Sequence, residues 1–129
     1  MLKNQSKDYI VKMTENKEIN KGEKIMTITE ADKTNWESLI SEQSKPVIAM
    51  FYMVSCSACN KIKPVFEDLA EKTGDKVSFI RIEAMDNIDI TNSYGIRSAP
   101  MFLIFRNGEV VKTLDAPKED ELRDEVAAL

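Results

Sequence analysis

The chain has 129 residues, 43% of them hydrophobic, enough to fill the core of one domain without disulfide or metal staples. Charged residues make up 31% and the formal net charge is −4, so the broad basic footprint of a nucleic-acid binder is missing. No stretch approaches the length of a bilayer span, and Tyr9-Ile10-Val11 is far short of a signal peptide's hydrophobic region, so a cytoplasmic location without membrane attachment is expected.

Residues 1–23 are dominated by Lys, Asn, Glu, Ser and Gln and read as a mobile N-terminal extension, leaving residues 24–129 as the folded domain. Ile25 to Thr29 alternates as a short strand. Asp32 or Thr34 is placed to cap a helix carrying Trp36, Leu39 and Ile40, stopped by Lys45-Pro46. The apolar run Pro46 to Val54 reads as a buried strand.

Asn60 to Thr73 follows as a helix with Ile62, Val65, Phe66, Leu69 and Ala70 in one stripe and Lys61, Lys63, Glu67, Asp68, Glu71 and Lys72 facing water. Pro64 should kink it and Gly74 should end it. Val77 to Glu83 is the next strand, and Asn87 to Tyr94 a short helix ended by Gly95. Met101 to Phe105 is a strand, Asn107-Gly108 a tight primed turn, and Val110 to Leu114 the antiparallel return. Lys118 to Leu129 closes the chain as a helix with Leu122, Val126 and Leu129 at core spacing. The order β-α-β-α-β-α-β-β-α argues an α/β fold, a mixed sheet with helices on both faces.

The only cysteines, Cys56 and Cys59, stand three residues apart where the apolar run ends and the helical pattern begins. Free backbone N–H groups and the positive end of the helix macrodipole stabilise a thiolate there, and thiolate is the nucleophilic form. One helical turn later, Cys59 can reach back toward Cys56. Other readings stay open at this point: a structural disulfide, two inert core cysteines, or thiolates pooled by two chains around a metal or iron–sulfur cluster. A zinc site within one chain is disfavoured, because there is no histidine and no third cysteine.

Two stretches, Phe51 to Pro64 (FYMVSCSACNKIKP) and Tyr94 to Val110 (YGIRSAPMFLIFRNGEV), resemble thioredoxin, and the likeness covers residues 25–129. It implies the thioredoxin fold, with Cys56 as attacking thiol, Cys59 as resolving thiol, and Pro100 as a cis-proline beside the disulfide that exposes the backbone of Ala99. The alternative for Pro100 is a plain strand-start proline. Ser55, Ser57, Ala58, Ser98, Ala99 and Pro100 would form the substrate-binding surface. The implied activity is dithiol–disulfide exchange on disulfide-containing protein substrates, with a thioredoxin-reductase-like electron donor, no tightly bound cofactor and a monomeric state.

The chain departs from the family at several positions. Ser55 replaces the tryptophan before the first cysteine, and Ser57-Ala58 replaces Gly-Pro. Met50 stands where the family has a buried aspartate, and Arg81 where it has that aspartate's lysine partner. Arg81 is then expected either to turn toward the thiols and favour thiolate, or to lie out as a surface arginine. Asp115 is matched to the family's glycine near the last strand. Met50, Met53, Met85 and Met101 read as a methionine cluster near the site, either core filler or an adaptable docking face. A non-catalytic binding module is the rival function.

Overall fold

Val47, Ile48, Ala49, Met50 and Phe51 are each at most 3% exposed, because the strand that contains them has a neighbour on each edge and helices over both faces. A computed structural model describes residues 28–129; the expected extension over 1–23 and the opening of the first expected strand lie outside them. In chain order the elements are β1 (Ile28–Ala31), α1 (Trp36–Ile40), β2 (Val47–Tyr52), α2 (Ser57–Thr73), β3 (Ser78–Glu83), α3 (Ile88–Ser93), β4 (Met101–Arg106), β5 (Glu109–Asp115) and α4 (Glu119–Ala127).

The sheet order is β1-β3-β2-β4-β5. The first three of these run parallel, and β4 and β5 are antiparallel to their neighbours, so the sheet is mixed as expected. Alternation along the strands divides the core in two. Ile48, Met50, Phe79, Phe102 and Ile104 meet Phe66 and Leu69 of α2 and Leu122 and Val126 of α4. Val47, Ala49, Phe51, Ile80 and Phe105 meet Trp36 and Ile40 of α1, with Tyr94 and Ile96 from the end of α3. The hairpin turn has positive φ at both Asn107 (54°) and Gly108 (83°), the primed geometry that the Asn-Gly pair predicts.

Several boundaries differ from the sequence expectations. Helix α1 ends at Ile40, short of Lys45-Pro46, and its N-cap is Asn35 rather than Asp32 or Thr34. The Asp32 carboxylate instead accepts from the Thr34 N–H at 2.8 Å, a local bond that competes with capping and holds its carboxyl below the usual range, chiefly through the Thr34 hydroxyl. Strand β2 stops at Tyr52, and Val54, expected in a buried strand, is 75% exposed. Helix α2 starts at Ser57, three residues before Asn60, and runs unbroken through Pro64. Gly74 caps it with φ −63°, right-handed backbone that does not require glycine.

Candidate functional site

The early start of α2 places Cys56 at its N-cap, in extended backbone (φ −119°, ψ 109°), with its sulfur accepting from the Cys59 N–H at 3.1 Å. Cys56 and Cys59 are joined as a disulfide, their Cα atoms 5.2 Å apart. The two sulfurs are unequal in access. Cys59 is 3% exposed and packed in the core beneath the sheet, whereas Cys56 is only half-buried.

Over the disulfide lies the loop before β4. The Ala99–Pro100 peptide bond is cis, and Cys56 Sγ sits 3.7 Å from the Ala99 carbonyl oxygen. Pro100 is buried and Ala99 half-buried, and the Pro100 carbonyl accepts from the Ala116 N–H at 3.0 Å, which ties this loop to the end of β5. Ser55, Ser57, Ala58 and Ser98 are all exposed at the rim.

Behind the disulfide, a cavity of about 240 Å³ reaches Cys59 and is lined by Met50, Met53, Asn60, Lys63, Glu67 and Arg81 among others. Met50 is 3% exposed and gives this wall no charge. Arg81 is turned to β1, where its Nε donates to Glu30 Oε1 at 2.6 Å and its guanidinium lies 5.6 Å over the Tyr52 ring. The surface-arginine alternative thus describes Arg81 better than one aimed at the sulfurs. The Tyr52 hydroxyl donates to Glu30 Oε2 at 2.7 Å; burial, then that carboxylate, push it up to about 12.

The expected methionine cluster is divided. Met50 and Met53 line the cavity, Met101 packs against the core on the opposite face of the sheet, and Met85 is 63% exposed. Alternation along strands explains this, since Met50 and its register partner's neighbour Met101 point to opposite faces. Lys61 and Lys63 are exposed, and only Lys63 joins the cavity lining. Asp115 is exposed, opposite Met101 in the ladder, and the left-handed backbone that suits glycine falls one residue later, at Ala116 (φ 45°).

Sequence reasoning passed over Glu83. Its carboxylate is buried, 8% exposed, and accepts from the N–H of Val54 at 3.2 Å and of Asp86 at 2.7 Å. The available signal was an acid closing an apolar strand directly before a loop. Among the described residues no group of three or more His, Cys, Asp or Glu side chains is arranged to hold a metal, and no helix is long and apolar enough to cross a membrane.

A family model described as Thioredoxin matches residues 27–128. An M-type chloroplastic thioredoxin of Zea mays is 35% identical over 79 residues, covering 61% of this chain and 47% of that protein. Thioredoxin of Bacillus subtilis is 34% identical over 95 residues, covering 73% and 91% respectively. A solved thioredoxin structure from Malassezia sympodialis superposes with a TM-score of 0.76 at 23% identity, over 84% of this chain and 96% of that one, a likeness of fold. The chain spans about half the length of the chloroplastic relatives it matches.

Proposed function

Because this chain belongs to the thioredoxin family, we propose that it is a thiol–disulfide oxidoreductase working through Cys56 and Cys59. The observation that carries this reading is the inequality of the pair: an accessible sulfur at the leading end of α2, bonded to a buried one a single turn later. In the reduced protein the Cys56 thiolate attacks one sulfur of a substrate disulfide. That S–S bond breaks, the other substrate sulfur leaves as thiolate and takes up a proton, and a mixed disulfide with Cys56 forms.

Cys59 then gives up its proton and attacks Cys56 Sγ. The mixed disulfide breaks, the second substrate thiol departs, and the Cys56–Cys59 bond closes, so two electrons have passed to the substrate. The proton that Cys59 gives up is matched by the one that the departing substrate thiolate takes up; Met50, in the wall of the cavity behind Cys59, offers no acceptor for it. Ser55, Ser57, Ala58 and Ser98 supply the rim. The backbone of Ala99 and Pro100 supplies an edge on which an extended substrate segment can lie.

Returning the disulfide to dithiol takes two electrons from a disulfide-reducing partner of the thioredoxin-reductase class. The same reading makes the protein a cytoplasmic monomer with a domain over 24–129 and an extension over 1–23; cell fractionation, light scattering and limited proteolysis address these in turn.

Reduction of insulin disulfides by the full chain is the direct test. Wild type should turn over and Cys56→Ser should not. Equal rates for the two, or no turnover by wild type with a chemical reductant as donor, would leave the binding module as the better reading.

A further inference from the structure

We infer that Glu83 is a positioning residue for the Cys56 thiol, acting through the peptide chain that leads into it; the inference rests on the exchange chemistry proposed above. Glu83 closes β3, and its carboxylate bridges the loop that leads into Cys56 and the loop that follows β3. One carboxylate oxygen accepts from Val54 N–H, two residues before Cys56, and the other accepts from Asp86 N–H in the loop between β3 and α3.

Around these bonds the backbone is also tied. The Ala84 N–H donates to the Tyr52 carbonyl at 2.8 Å, and the Asn87 side-chain amide donates to the Glu83 carbonyl at 2.9 Å. Past Tyr52, Val54 to Cys56 belong to no strand, and Ser55 is exposed. The Val54 bond is therefore the anchor nearest the thiol on its N-terminal side among the described residues.

The chemistry explains why a carboxylate stands here. Two N–H donors converge on one side chain, and only a carboxylate presents an acceptor on both of its terminal atoms. A glutamine in its place would offer one oxygen and turn its own NH₂ toward the second donor. A buried acid costs free energy unless it is so bonded, and at 8% exposure Glu83 needs both donors.

The consequence falls on Cys56 because its sulfur is stabilised by direction. At the N-cap it accepts from the Cys59 N–H at 3.1 Å, a contact that depends on the extended backbone of Cys56 itself. That backbone is set by the chain entering from Val54. When Glu83 lets go of Val54, the peptide leading into α2 gains freedom, the sulfur leaves its amide donor for part of the time, and thiolate is less favoured.

The test measures iodoacetamide alkylation of the reduced protein from pH 4 to 9, by mass spectrometry at Cys56, for wild type, Glu83→Gln and Glu83→Asp, with thermal unfolding alongside. Glu83→Gln should slow Cys56 alkylation at neutral pH by about tenfold and move the profile's midpoint to higher pH, the size expected from losing one charge-assisted hydrogen bond. Glu83→Asp, which keeps the carboxylate on a shorter stem, should show a smaller change in the same direction, and serves alone if the amide variant does not fold.

A lowered melting temperature with an unchanged alkylation profile would assign Glu83 to stability alone and overturn the inference. Faster alkylation would overturn it too, since it would mean that the buried charge opposed the thiolate through space. Because alkylation needs no substrate or reductase, these outcomes stand apart from success or failure in insulin reduction.

Discussion

The backbone N–H of Cys59 points at the sulfur of Cys56 from 3.1 Å, so the buried cysteine supports its partner through its amide as well as through the bond between their sulfurs. In the reduced protein Cys56 is expected to be the reactive member. Alkylation at neutral pH should label Cys56 about tenfold or more ahead of Cys59, and Cys59→Ser should leave the fast reaction in place. Equal labelling would show that access and amide support do not separate the two.

Burial, then the Glu30 carboxylate, raise the titration of Tyr52. Tyr52 should titrate near 12 in ultraviolet spectroscopy, against 10.0 for a free tyrosine, and Glu30→Gln should bring it part of the way back, because burial remains. The unfolded chain ionises at the lower value, so the stability that Tyr52 contributes is complete below pH 10 and is lost as pH rises toward 12. Tyr52→Phe should lose less stability across that window than wild type does.

Asp68 on α2 accepts from Arg123 on α4 at 2.9 Å and pairs with Lys72 at 3.2 Å, and these bonds, Arg123 first, hold its carboxyl below the usual carboxylate range. A lowered carboxyl stabilises above its unfolded value and stops doing so as pH falls through the folded one. Asp68→Asn should therefore melt below wild type at pH 7, and the gap should close below about pH 4. High salt should also narrow it, since the pair is partly exposed.

Trp36 is 2% exposed and meets Phe51, Tyr94 and Phe105 edge-on with ring centroids 5.6 to 5.7 Å away. Trp36→Ala should cost about 3–5 kcal/mol in denaturant unfolding. It packs on the opposite face of the sheet from Cys59, so insulin reduction by the remaining folded fraction should persist.

Ala116 holds φ 45°, where its Cβ crowds the backbone. Ala116→Gly should raise stability by up to about 1 kcal/mol, because relief of the strained conformation outweighs the extra freedom of glycine in the unfolded chain. A fall in melting temperature would show that the side chain's contacts matter more.

How far the site was legible depended on range along the chain. The Cys56, Cys59 pair and the strand before it are local, and a helix start near them follows from spacing alone, although the start itself came three residues early because Cys56 supplies the cap. Arg81 was ambiguous because its partner, Glu30, is 51 residues away in sequence and adjacent only through the parallel pairing of β1 and β3. Glu83 passed unnoticed because a carboxylate bonded to main-chain N–H groups leaves no pairing pattern among side chains.

The sequence by itself determined the element order, the apolar run that buries β2 on both faces, the Asn107-Gly108 turn and the thiol pair, since each rests on periodicity, backbone preference or neighbours within a few residues. Tertiary structure alone decided which sulfur is buried, that Arg81 turns to Glu30 and that Glu83 accepts from the loop into the thiol. Those relations join atoms from distant segments. Their energies depend on burial and direction, which exist only once the sheet has brought the segments together.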